Sequence, residues 1–392
     1  AIVFQQWVQW HLWRQFIAVK QYAGKKGVLL KGDIPILVSR DSADVWAHPD
    51  YFKLDLSAGA PPDMYASHGQ RWGMPTNNWD AIAADDYRYL REKLRCAAKV
   101  YDIIRVDHVV GLFRIWSIPV DEPHESQGLN GFFDPVDESK WGDQGRGILS
   151  VMLDTTDMLL CAEDLGTVPD VCRQVMEEYG IPGNDVQRWT KDWSERHDFL
   201  PPEEYRPLSV AMLSTHDTTN WAAWWRYEAG TVDEGLFRRK SEEKGIDFEA
   251  VKPLLFDVKR SAHGRLRWKD EVSSVSMMID ILGRASHEIA DFIDMYLNTY
   301  EEKGKLWRQL GFKGKVKEKA DRNLIGAVIR HTAQSQALFC IEQLMDWVMY
   351  AGLIPGDPYD FRINRPGTVG ERNWSQRLPV ALEDLVRDPV NA

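Results

Sequence analysis

Asp107, Glu163 and Asp217 are the residues through which this sequence could do chemistry. Each closes a strand-like apolar run: Asp107 ends "IIRVD", Glu163 with Asp164 ends "MLLCAED", and Asp217 with His216 ends "SVAMLSTHD". Several acids facing one another in a trough suit retaining glycoside cleavage. There, one carboxylate attacks the anomeric carbon while a second, about 5 to 5.5 Å away, protonates the leaving oxygen. The two must differ in pKa, the acid being raised by burial or by negative neighbours. A third acid could distort the sugar and balance its oxocarbenium-like charge. Arg105, two residues before Asp107 and so on the same strand face, would keep that carboxylate ionised. His108 and His216 could donate hydrogen bonds to sugar hydroxyls.

Two other readings of these acids stay open at this level. A lone Asp after a strand commonly caps a helix or forms a turn. Three strand-end acids, two of them beside a histidine, weigh against that reading for the whole set. His216, Asp217, Asp107 and Glu163 could instead ligate a metal, but no HxH or HExxH spacing occurs in the chain. Neither a metal nor a cofactor is expected.

The elements that must position these acids are partly visible. Phe4, Val8, Leu12 and Phe16 repeat at four-residue steps, which predicts a helix from the first residues to a cap at Gly24. "VLLKGDIPILV" (28–38) reads as a strand, followed by a Gly-, Pro- and Asp-rich loop to about residue 79. Tyr87, Leu90, Leu94 and Ala98 mark one face of a helix. The strand "IIRVD" then leads into a long mixed loop, "PVDEPHESQGLNGFFDPVDESKWGDQGRG". After the strand "MLLCAE", a helix runs from Pro169 to Gly180. "LSVAML" and "QALFCIEQL" read as further strands, and the charged, helix-periodic stretch 228–330 between them reads as an insertion. Strands alternating with helices indicate a parallel sheet. Acids at the C-terminal strand ends are placed where barrel sites are built. The whole of 1–392 is expected to be a single catalytic barrel domain. The chain starts inside a helix with no capping residue and no Met, so the N-terminal part of a longer protein is expected to precede it.

Composition narrows the function further. The chain has 392 residues, 44% of them hydrophobic, which is ample for a core. A formal charge of -11 argues against a nucleic-acid partner. No apolar run is long enough to span a membrane, and the start lacks the basic-then-apolar plan of a signal peptide. The four cysteines form no CxxC pair; Cys161 and Cys340 read as buried hydrophobes, and the setting as reducing and cytoplasmic. Seventeen tryptophans serve either large cores or stacking on flat ligand faces such as sugar rings. Trp72 and Trp79, in the Gly/Pro-rich loop, are the two expected to be exposed. Asn373 heads an Asn-Trp-Ser sequon, which matters only on export.

At "IRVDHVVG", "AEDLG" and "STHDTTNW" the sequence resembles the 4-α-glucanotransferases, also called amylomaltases or disproportionating enzymes, of glycoside hydrolase family 77 and the α-amylase clan. The resemblance extends to "GDIPILVSRDSADVWAHPDYF" (32–52), "GAPPDMYASHGQRWGMP" (59–75) and "INRPGTVGERNWSQRLPVALEDL". It implies an α/β fold, a (β/α)8 TIM barrel missing its first strands, with a helical insertion before the last strand. It also implies that Asp107 is the nucleophile, Glu163 the general acid/base and Asp217 the transition-state stabiliser. Asp33 matches a supporting acid at an earlier strand end, and Arg105, His108 and His216 match contacts around the ring being cleaved. Tyr65, Gln70 and Trp72 fall in the loop that overhangs the glucan in this family. Asn364 and Pro366 match its "N-x-P-G-T". Val109 and Val110 replace the usual Phe-Arg, as in the branch with the plant cytosolic enzymes. Met64, Met74 and Asn77 depart from the usual loop residues, which bears on acceptor choice. The implied activity is transfer of α-1,4-glucan segments between maltooligosaccharides. A glucan hydrolase on the same machinery and a non-catalytic glycan-binding protein are the alternatives.

Overall fold

The first helix, α1 (Ile2–Lys25), runs just past the expected Gly24, and the chain turns at Gly27 with φ +69°. This structure, a computed structural model, describes residues 2–62, 68–366, 368 and 370–387. Tyr65 and Met64 lie outside the described residues. Only Ala23 of α1 is buried; Phe4, Leu12 and Phe16 of the expected stripe are exposed. The described residues 2–62 and 68–184 form one compact unit and those from 185 onward a second.

In the first unit, β1 is limited to Lys31–Ile34, because Pro35 has no N–H for a ladder. Helix α2 (Arg88–Ala98) follows with Leu90 and Leu94 buried, then β2 (Ile103–Val106). Helix α3 (Trp141–Thr155) was not legible in the sequence: Gly142, Gly145 and Gly147 lower its propensity. Gly145 is required there, since a Cβ would meet the Phe113 ring at 2.2 Å. Strand β3 (Leu159–Ala162) and helix α4 (Asp170–Glu178) complete the pattern, with Gly180 in the left-handed conformation after the helix.

The three strands are parallel in the order β1–β2–β3. One sheet face carries Ile34, Ile104, Val106, Leu160 and Ala162, and packs on Leu94, Ile148, Leu149, Met152 and Val175 of the helices. Each large aliphatic side chain fully buried in this way contributes roughly 1.5–3 kcal/mol. The other face carries Lys31, Asp33 and Arg105. A four-stranded antiparallel sheet, in the order Gln70–Arg71, Leu56–Ala60, Ile115–Pro119 and Phe132–Asp134, takes three of its strands from stretches expected to be loop, and Ile115–Pro119 from the run just before the second of them.

Strands β4 (Gly183–Val186), β5 (Ser209–Met212) and β6 (Phe339–Cys340) form another sheet in that order, with β5 and β6, which belong to the second unit, parallel. The strand expected over "QALFCIEQL" shrinks to two residues at the end of the described sheet, which leaves Cys340 exposed rather than buried. Trp221, Trp224, Trp225 and Trp307 anchor one core. A separate core gathers Phe237, Phe256, Trp268, Phe292 and Tyr296 from residues 232–300. Its helices start on side-chain caps: Asp233, Asp247 and Ser274 accept from the N–H of Leu236, Ala250 and Met277. Among the described residues the strands pair into separate sheets, and no helix is long and apolar enough to cross a membrane.

Candidate active site

In the first unit, register alone assembles the polar cluster. Asp33, Arg105 and Cys161 are Cα partners across β1, β2 and β3, and aligned residues of parallel strands leave the same sheet face. The Arg105 guanidinium donates from Nη1 to Asp33 Oδ1 and Oδ2 at 2.9 and 2.7 Å and to Asp107 Oδ1 at 2.7 Å. Its Nη2 lies 3.9 Å from Glu163 Oε2. Burial works against the Arg105 charge, but the surrounding carboxylates outweigh it and hold its pKa above the ordinary value. Among the described residues, no group of three or more His, Cys, Asp or Glu side chains is arranged to hold a metal ion.

Asp107 and Glu163 sit one residue past their strands, and the backbone fixes both. The Asp107 N–H donates to Ile34 O at 3.2 Å, the Glu163 N–H to Val106 O at 2.9 Å and the Val109 N–H to Glu163 O at 3.0 Å. His108 adopts φ +44°, a left-handed conformation that costs a non-glycine residue of order 1–3 kcal/mol. Its N–H donates to Glu163 Oε2 at 2.8 Å, while Leu165 N–H donates to Oε1 at 3.2 Å.

The two carboxylates differ in exposure. Asp107 is 42% exposed and Glu163 only 13%. Burial pushes the Glu163 carboxyl up to about 7; Arg105 pulls it down, the Asp107 charge raises it, and the two N–H donors lower it. Asp164, next in sequence, has a structural place instead: it accepts from Asn184 N–H at 2.7 Å. That contact needs Gly183, where a Cβ would stand 2.5 Å from the carboxylate.

Burial holds the His108 imidazole down at about 4, so it is neutral at neutral pH. The Trp72 ring meets it edge-on at 5.1 Å, and Trp72 Nε1–H donates to Gln70 Oε1 at 2.9 Å. Trp72 and Trp79 are half-buried rather than exposed; among the described residues, Trp46, Trp347, Trp374 and the tryptophans of α1 are the exposed ones. The unusual residues mostly pack: Val109 and Val110 enter the core, Met74 lies against Leu37, Ala58 and Ile115, and Asn77 donates to Ile36 O at 2.8 Å. An apolar crevice lined by Ile34, Trp79, Tyr89 and Met152 includes none of the candidate residues.

In the second unit, Asp217 is not at a strand end. Strand β5 stops at Met212, and Asp217 follows on a turn closed by the Thr218 N–H to Thr215 O bond of 3.2 Å. Asn364 Nδ2 donates to Asp217 Oδ1 at 2.7 Å, and His216 Nε2 lies 3.3 Å from Oδ2. The Asn364 N–H donates to His216 O at 3.1 Å. Sequence reasoning missed two residues here. Arg362 donates from Nη2 to Asp217 O and from Nε to Asn364 O, both at 2.8 Å; its place two residues before Asn364 in an extended segment was the available signal. Trp374, beside the sequon Asn373, has its ring centroid 5.1 Å from that of His216.

The glycoside hydrolase 77 family model, described as 4-alpha-glucanotransferase, matches residues 1–383. The chain belongs to this family. It is 40% identical over 385 residues to the 4-alpha-glucanotransferase of Chlamydia trachomatis serovar D, covering 98% of this chain and 58% of that protein. The Chlamydia pneumoniae 4-alpha-glucanotransferase is 32% identical over 384 residues, again 98% of this chain and 58% of that one. The chain thus spans well under two thirds of these curated relatives. Among solved structures, it resembles the amylomaltase of Streptococcus agalactiae in complex with acarbose: TM-score 0.64 at 22% identity, over 97% of this chain and 59% of that one. At that identity the likeness establishes a shared fold.

Proposed function

We propose that this family member carries the catalytic machinery of a cytoplasmic 4-α-glucanotransferase, moving α-1,4-glucan segments between maltooligosaccharides by double displacement. Asp107 is the nucleophile, Glu163 the general acid/base and Asp217 the stabiliser. One observation carries the reading: a mostly buried carboxyl titrating near 7 beside an exposed carboxylate, with one guanidinium holding the exposed carboxylate and lying within 4 Å of the buried one. That is the asymmetry a retaining pair needs. The finer fold reading, a (β/α)8 barrel with 228–330 as a helical insertion, is supported by family membership and by the parallel strands of both sheets.

Asp107 attacks the anomeric carbon as Glu163 gives its proton to the departing 4-oxygen, leaving a β-glucosyl ester on Asp107. Glu163, now a carboxylate, takes the proton from the 4-hydroxyl of an acceptor glucan; that oxygen displaces Asp107 and restores the α-linkage. Neutral His108 and Asn364 provide hydrogen-bond donors for sugar hydroxyls, and Asp33 supports Arg105. Gln70 and Trp72, with Tyr65 in the same loop, are assigned to the glucan.

Incubation with maltotriose is expected to give a ladder of longer maltooligosaccharides; maltose and glucose alone would mean hydrolysis and overturn the transfer assignment. Asp107→Asn is expected to lower turnover by several orders of magnitude while maltooligosaccharide binding stays measurable.

A further inference from the structure

Trp374 is 65% exposed, an odd position for the side chain with the largest apolar surface. It is nonetheless firmly placed. Its backbone takes φ +57°, a conformation a non-glycine residue adopts only when its surroundings impose it. Its N–H donates to Ile363 O at 2.9 Å. The preceding Asn373 accepts from Arg365 N–H at 3.2 Å and donates to Thr368 O and Oγ1 at 2.9 and 3.1 Å. The strained turn therefore holds a large flat ring out of the protein, tilted 40° against the His216 ring, and His216 contacts Asp217.

A pyranose presents a C–H face that seeks an apolar plate and a rim of hydroxyls that seek polar partners. Trp374 supplies the plate, and His216, Asp217 and Asn364 supply the partners. We propose that Trp374 is a stacking platform for a glucosyl ring of the bound α-1,4-glucan. This rests on the glucan reading above and adds a substrate-contacting residue to it.

Calorimetric titration of the Asp107→Asn protein with maltoheptaose tests the idea. Adding Trp374→Ala is expected to weaken Kd about tenfold, and Trp374→Phe to bring it back within about threefold, the scale of one aromatic face. A Trp374→Ala protein that binds as well as its parent, or a loss that Phe does not restore, overturns the platform. A parent that binds no maltoheptaose overturns the glucan reading and the platform with it. A second measurement needs no variant at Trp374: N-bromosuccinimide oxidation mapped by mass spectrometry. Maltoheptaose is expected to shield Trp374 but not Trp46, which is 86% exposed. Equal oxidation of both with and without the sugar counts against the proposal.

Discussion

The carboxylates of the first unit and Asp217 of the second are held by opposite means. Asp107 and Glu163 come directly off neighbouring parallel strands, so ladder geometry sets their spacing and Arg105 joins them from the same sheet face. Asp217 lies on a turn, and its position depends on a segment far along the chain through Arg362 and Asn364. A sheet positions groups through many cooperative backbone bonds, whereas a loop does so through a few side-chain bonds. The first arrangement resists perturbation of its backbone but is exposed to the loss of one charge; the second depends on two residues.

Removing the shared charge is expected to have the largest effect. Arg105→Ala leaves Asp33, Asp107 and Glu163 without their common partner, and turnover is expected to fall by about a thousandfold. The pH profile gives a signed check. In the proposed mechanism Glu163 must be protonated to act as acid, so its carboxyl, pushed up to about 7, is expected to set the alkaline limb. Arg105 lowers that pKa, so its loss moves the alkaline limb to higher pH even as the rate drops; an unmoved or lowered limb contradicts the geometry. Arg362→Ala comes next, with kcat reduced by roughly tenfold to a hundredfold and partly restored by Lys. Its melting temperature and the alkaline limb are expected to stay put, because Glu163 is set within the first unit. A loss as large as that of Arg105→Ala would erase the contrast between the two regions. Gln70→Ala should have the smallest effect: it frees the Trp72 indole, and KM for maltooligosaccharides is expected to rise about threefold at nearly constant kcat.

Legibility in the sequence follows the same division. Ile103–Val106 and Leu159–Ala162 were readable because a strand covered on one face by helices is a run of apolar residues, and the residue after it is where a site begins. Arg105 could be placed beside Asp107 from period-two alternation alone. Its third partner, Asp33, needed the register between strands far apart in the chain. The strand at Leu56–Ala60 was hidden by small residues, Ser57, Ala58, Gly59 and Ala60, which show no alternation, although Gly59 is where Gln70 O comes within 2.1 Å of an added Cβ. The extent of burial around Glu163 was also beyond the sequence, since it depends on tertiary enclosure. The two-residue β6 and the exposed Cys340 show the reverse error: an apolar run of strand composition that lies at the end of a sheet.

The hold of Arg362 and Asn364 on Asp217 crosses 145 and 147 residues of sequence. A ribosome therefore releases the strands bearing Asp107 and Glu163 long before the segment that sets Asp217 has been made. A nascent chain ending short of Arg362 would carry Asp107 and Glu163 already set by the strand ladder but Asp217 without the bonds from Arg362 and Asn364, so the turn at Asp217 gains its anchors only once that late segment has emerged.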